Sequence, residues 1–261
     1  MNTLREFYMY RELLKTNVRK DIRGRYKGTF LGMLWTFVNP LLQVFVYYLV
    51  FPYLMGRAGG PIPNFLVYLI TGMFPWNFFL GAIVGCTGCI KGNAGVVKKV
   101  YFPRKILVMS QVLSNLVNFM FTVPIMMIFC LVFGIGWTWH LLWIPVIAVI
   151  EAVIIYGAGL ILSAVNVYVQ DVENIVQFLL NLGFYATPIV YPLSIFGGGL
   201  LSKIIQLNPM TMLVNAYRAV MMYDSNPGLL SMTGCLILGL ILVMIGNWVF
   251  NKLERGFAEE L

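Results

Sequence analysis

Charge is scarce in this chain, and the scarcity limits what the protein can be. Asp, Glu, Lys and Arg together make 11% of its 261 residues, against 60% hydrophobic residues and a mean hydropathy of +0.83. No single water-soluble core buries that much apolar side chain, so an ordinary soluble enzyme is excluded and lipid is the expected solvent. Histidine occurs once, at His140. There is no H-E-x-x-H, no G-x-x-x-x-G-K-[ST] phosphate loop and no G-x-S-x-G elbow, so this sequence offers no zinc hydrolase, phosphate-loop nucleotidase or serine hydrolase chemistry. The four cysteines, Cys86, Cys89, Cys130 and Cys235, all fall in apolar runs, where neither a disulfide framework nor a metal site is expected. Cys86 and Cys89 form a lone C-x-x-C with no second ligand pair, which reads as helix packing and not zinc. The expectation is a chain with no catalytic residues, no metal and no cofactor of its own.

The charges that are present are strongly sorted. No charged residue occurs in 28–56, 58–90, 106–150, 174–202 or 225–251, and a bilayer core of roughly 30 Å needs about 20 helical residues. The run 106–150 holds a break at 134–140 and so contains the end of one span and the start of another. Six transmembrane helices are predicted, over residues 29–54, 65–90, 106–133, 141–165, 175–191 and 229–250. Eight Lys or Arg precede the first, five lie in 91–105 and two follow the last; Arg57, Lys203 and Arg218 lie on the other side. By the positive-inside rule this makes both termini cytoplasmic. The formal net charge of +8 therefore reports membrane topology, and no nucleic-acid partner is expected. The predicted fold is an all-α membrane protein divided into a cytoplasmic amphipathic helix (1–28), a six-helix domain (29–250) and a short cytoplasmic tail (251–261).

Leu4, Phe7, Leu14, Val18 and Ile22 share one face of the N-terminal segment while Arg11, Lys15 and Arg19 lie elsewhere, the pattern of a helix in the membrane interface. Its interleaved charges and the long apolar run that follows are unlike a cleaved signal peptide. Polar residues recur at helical spacing within the spans: Trp35, Asn39, Gln43 and Tyr47 in the first, Gln111, Asn115, Asn118 and Thr122 in the third, and Asn174, Gln177, Asn181 and Tyr185 in the fifth. The third set is expected to hold helices together by interhelical hydrogen bonds. The first and fifth mix amides with aromatic rings, which suits the wall of a wet passage for a bulky, hydroxyl-rich substrate, and Trp35, Asn39, Gln43, Tyr47, Gln177, Asn181 and Tyr185 are its expected lining. Glu151 is the single carboxylate within a span; a contact with Asn118 is expected, and a structural role is favoured over the proton coupling of a gradient-driven carrier or channel. Residues 192–228 are nearly as apolar as the spans, so they are expected to fold back as an outer re-entrant hairpin. In it Asn208 caps a helix begun by Pro209, Leu200 to Gln206 forms a shorter partner, and Gly197 to Gly199 supplies a joint. Asn208, Pro209 and Arg218 are its expected gate residues.

Together these segments resemble a family. Arg23-Gly24-Arg25-Tyr26-Lys27 followed by Leu31-Gly32-Met33-Leu34-Trp35 and Asn39-Pro40, then Tyr101-Phe102-Pro103-Arg104, then Asp171, Thr187-Pro188-Ile189-Val190-Tyr191 and Asn208-Pro209, stand in the order seen in ABC permeases that export cell-surface polysaccharides such as O-antigen, capsule and teichoic acid. The resemblance covers nearly the whole chain. It implies a homodimer in a bacterial plasma membrane with two separate ATP-binding subunits, which hold ATP and Mg, and a lipid-linked glycan as cargo. It also implies that Arg23, Arg25 and Lys27 with Leu31-Gly32 admit a pyrophosphate-lipid head, and that Lys98, Lys99, Phe102, Pro103 and Arg104 in the 91–105 loop couple to the ATPase. Permeases of this superfamily move other lipids and drugs as well, and that alternative stays open.

Overall fold

The computed structural model describes residues 7–26, 28, 30, 32–55, 64–100, 102–197 and 199–261, with side chains for all but 25, 26, 33, 36, 51–55 and 258. Every regular element among the described residues is helical. The principal helices are α1 (Arg11–Tyr26), α2 (Trp35–Met55), α3 (Phe65–Gly92), α4 (Lys105–Val132), α5 (Ile144–Tyr168), α6 (Val172–Tyr185), α7 (Leu200–Leu207), α8 (Pro209–Met221) and α9 (Leu229–Leu253). Four stretches, Phe65–Gly92, Lys105–Val132, Trp139–Tyr168 and Leu229–Gly256, are long and apolar enough to cross a membrane. The chain is a multi-pass membrane protein.

α3 forms the hub and packs against α2, α4, α5, α6 and α8. Its buried residues occur all around its circumference, as a helix enclosed by other helices requires. α9 is peripheral and lies along α5, and the reason is backbone proximity. A Cβ at Gly157 would come within 2.6 Å of the Leu242 carbonyl carbon, and one at Gly246 within 2.6 Å of the Gly157 carbonyl oxygen. Glycines on facing helices let the backbones meet, which is how helices associate when lipid removes the hydrophobic incentive. The opposite face of α9, including Leu230, Ile237, Met244 and Trp248, is exposed.

α1 is amphipathic as its sequence predicts, with Leu14, Val18 and Ile22 half-buried, as is Phe7 just before it, and Arg11, Lys15 and Arg19 exposed; Leu4 lies outside the described residues. The face it buries rests on α4. Asp21 accepts a hydrogen bond from the Gln111 amide at 2.9 Å, and Phe7 meets Tyr156 of α5 edge to face at 6.1 Å. Asn115, Asn118 and Thr122 are buried, and Gly81 and Gly85 of α3 make room for Asn115 and Gln111.

The fifth predicted span differs from the helix observed. α6 has 14 residues, about 21 Å, and ends at Tyr185 where the sequence predicts residue 191. Pro188 disfavours helix at Thr187 before it. The Thr187 hydroxyl then donates back to the Gly183 carbonyl at 2.9 Å, and the chain turns through a buried segment, 187–190. α2 has 21 residues, with its apolar portion over Phe37–Val50. Two shorter helices do follow where Asn208 and the preceding apolar run predict them: α7, and α8 with Pro209 at its first position and the Met210 amide donating to the Asn208 side chain at 3.0 Å.

Candidate functional site

The first- and fifth-span polar stripes end up side by side, because α2 and α6 both lean on α3 and meet at one aromatic cluster. The Tyr47 ring stacks on Phe184 at 5.8 Å, and Phe184 in turn meets Trp76 of α3 at 6.0 Å. α6 buries only Val172, Val176, Leu180 and Phe184, a single stripe at four-residue spacing. About a third of a turn away, Asn174, Gln177, Asn181 and Tyr185 stand exposed. On α2, Asn39 and Gln43 are exposed while Trp35 and Tyr47 are half-buried. Short polar links tie the band together: the Asn77 amide donates to Gln43 at 3.4 Å, and Gln177 donates to Asn181 at 3.5 Å. The Tyr191 hydroxyl donates to the Tyr185 carbonyl at 2.6 Å.

Behind the Tyr185 end of this band lies a knot that sequence reasoning did not assemble. Arg218 is 2% exposed, and its guanidinium donates to the carbonyls of Pro188 (2.6 Å), Ile189 (2.9 Å) and Tyr68 (3.3 Å). The same group lies 3.4 Å from the centre of the Tyr68 ring, and the Tyr68 hydroxyl donates to the Tyr191 carbonyl at 2.8 Å. The non-helical turn after α6 thus surrenders its backbone acceptors to α3 and α8, which is the condition for irregular backbone away from water. Gly72 leaves the space: a Cβ there would sit 2.7 Å from the guanidinium. The Asn208 side chain donates to the Thr187 hydroxyl at 3.1 Å, joining the same turn to the start of α8. Arg218 as an expected gate residue gave no hint of these partners, since they are main-chain carbonyls; Pro188 inside an apolar run was the one available signal.

Glu151 is fully buried and accepts a hydrogen bond from Tyr217 of α8 at 3.1 Å. The Asn118 contact expected from depth along the helices is not made, and the Asn118 amide nitrogen has no partner among the described residues. α8 descends far enough for Tyr217 to take that place, which counting residues along α4 and α5 could not foresee.

Of the residues expected to admit an anionic head, Arg23 is exposed in the last turn of α1, and Gly32 opens a turn, Gly32–Leu34, with φ of +50°, a left-handed conformation that favours glycine. Lys27 and Leu31 lie outside the described residues, as does the Arg25 side chain. In the 91–105 loop, Lys98 and Lys99 are exposed, Pro103 is half-buried and Phe102 is buried. Arg104 points to the C-terminal segment, where it donates to the Glu254 carbonyl at 2.5 Å and lies 5.5 Å from the Phe257 ring. Lys20 of α1 donates to Asn93 at 3.3 Å, so α1, this loop and the tail converge on one end of the bundle.

A family profile described as ABC-2 type transporter matches residues 12–222. The O-antigen export system permease protein of Myxococcus xanthus is 35% identical over 99% of this chain and 98% of its own length. Its namesake from Klebsiella pneumoniae is 35% identical over 96% of this chain and 95% of its own. The polysialic acid transport protein of Escherichia coli is 24% identical over 67% of each chain.

Proposed function

Because the chain belongs to the ABC-2 type transporter family, we propose that it is the membrane-spanning permease subunit of an ATP-driven exporter of a lipid-linked cell-surface polysaccharide. It works as a homodimer in a bacterial inner membrane, with ATP and Mg held by two separate ATP-binding subunits. Its α2 and α6 count as spans alongside the four long helices, both termini are cytoplasmic, and α7 and α8 form the outer hairpin.

One observation carries this reading: the band of Asn39, Gln43, Tyr47, Gln177, Asn181 and Tyr185 along the outside of a protomer. An amide left without partners in hydrocarbon costs roughly 2–7 kcal/mol, so the band belongs against water or a second copy. Two such bands facing one another make a hydrated corridor whose rings suit sugar faces. Arg23, Arg25 and Lys27 with Leu31-Gly32 admit the anionic head of the cargo, since guanidinium groups grip phosphate bidentately. The end of the bundle where Lys98, Lys99, Phe102, Pro103 and Arg104 meet α1 and the tail receives the push of the ATPase. Asn208, Pro209 and Arg218 belong to the outer closure. Burial of Glu151 against Tyr217 favours structure over ion coupling, and so favours this reading over a gradient-driven carrier.

The test is solvent access. In a variant lacking the four native cysteines, Gln43→Cys and Asn181→Cys are expected to react with a membrane-impermeant maleimide, while Phe45→Cys and Leu179→Cys, exposed but on other faces of α2 and α6, do not. Unreactive Asn181→Cys, combined with undiminished export by a Gln43→Leu/Asn181→Leu double variant, would remove the corridor.

A further inference from the structure

A groove of ≈ 680 Å³ lies between α7, α8 and the first turn of α9, and neither the polar band nor the Arg218 knot uses it. Its polar wall holds Lys203, Gln206, Thr211, Asn215 and Ser231 around an aliphatic floor that includes Met212. The size is that of a small-molecule site.

The elements explain why polar groups collect there. α7 buries Ser202 and Ile205 and exposes Leu200, Leu201 and Ile204 away from the groove, while Lys203, Gln206 and Leu207 line it. Lys203 makes no ion pair among the described residues. Thr211 is 1% exposed, and its hydroxyl has no hydrogen-bond partner among the described residues. A buried hydroxyl in that condition carries a desolvation cost that a bound polar group would relieve.

The chemistry narrows the ligand. Amides and hydroxyls offer donors and acceptors side by side, as vicinal hydroxyl groups require, and the single ammonium adds a preference for negative charge. Among the described residues no aromatic side chain lines the groove, so recognition rests on hydrogen bonds and charge and not on stacking. We infer that this groove is a binding site for an acidic saccharide unit, a pyranose ring carrying a carboxylate or phosphate. It deepens the exporter reading, on which its place at the outer side of the passage rests, by giving the emerging chain a station beyond the corridor.

The experiment is direct binding to the purified full-length permease in detergent micelles, by calorimetry and saturation-transfer NMR. Three probes are compared: a glucuronic acid–glucose disaccharide, the neutral glucose disaccharide, and glycerol 1-phosphate as the lipid-headgroup form of the same chemistry. The acidic disaccharide is expected to saturate and to bind about fivefold tighter than the neutral one, the scale of one exposed charge pair. Lys203→Gln, at an exposed position, should erase that preference, and the isosteric Thr211→Val should weaken both sugars about tenfold. Thermal unfolding reported by the buried cysteines verifies that each variant is folded. No saturable binding, equal affinities for the two sugars, indifference to both substitutions, or tighter binding of glycerol 1-phosphate each overturn the assignment. Export is scored separately: export intact with no saccharide bound defeats the groove alone, whereas saccharide binding without any ATP-dependent export defeats the exporter reading.

Discussion

At the scale of single residues, the most consequential side chain is Arg218, a buried cation whose partners are carbonyl oxygens and a ring. Lysine cannot reproduce a planar fork that reaches two adjacent carbonyls while lying on Tyr68. Arg218→Lys is therefore expected to lower the thermal midpoint in detergent, by the loss of one or two charge-assisted hydrogen bonds at about 1.5–3 kcal/mol each. Gly72→Ala should do the same from the other side by displacing the guanidinium, and the buried thiols provide the readout through a thiol-reactive dye. Glu151→Gln is expected to leave folding and export close to wild type, because an amide oxygen still accepts from Tyr217. Abolished export with intact assembly and normal expression would show that the ionisable proton matters. The residue scale is also where the sequence was least informative. Depth along a helix placed Glu151 near Asn118, yet the partner came from α8, and the acceptors around Arg218 are main-chain atoms that no residue pattern announces.

At the scale of elements, hydropathy and capping located far more. Four of the six predicted spans correspond to helices within about three residues, the first is found as α2 only from Trp35 after the turn Gly32–Leu34, and Asn208-Pro209 marks the start of α8 where it is found. The failure at α6 has a local cause, since continuous hydrophobicity through residue 191 hides a backbone break at Pro188. Glycine contacts were not legible either; Gly157, Gly239 and Gly246 look like ordinary small residues until α5 and α9 are brought together. Gly157→Ala or Gly246→Ala is expected to cost about 1–3 kcal/mol by forcing those backbones apart. Gly234→Ala, which meets nothing within 4 Å, should be neutral or mildly stabilising, and parallel thermal unfolding separates the two outcomes. A second element-level tie joins the segment before α5 to the loop before α9, where His140 Nδ1 lies 2.8 Å from Asp224. Hydrogen bonds from Thr138 and then His140 hold the Asp224 carboxyl below its usual range. A depressed carboxyl stabilises while ionised, so its contribution is complete above the ordinary value of about 3.9 and drains away as pH falls through the lower folded value. The gap in thermal midpoint between wild type and Asp224→Asn should accordingly close below about pH 4.

At the scale of the whole molecule, the chain carries no nucleotide-binding motif, and its exposed basic loop, α1 and tail gather at one end. The purified permease alone is expected to show no ATP hydrolysis, and a stoichiometric ATP-binding subunit should copurify with it. Arg104→Ala should leave that complex assembled and its nucleotide turnover measurable while export falls, because the loop loses its grip on the Glu254 carbonyl and Phe257. Equal export by the variant would show that the tail takes no part in coupling.

The seam between α5 and α9 constrains how such a machine moves. Where two backbones touch with no side chain between them there is no slack for sliding or rotation, so this pair behaves as a fixed strut. In the proposed exporter, any widening is expected on the flank of α2 and α6, where α6 is held by one line of side chains and α2 by its packing on α3 around the buried Val44.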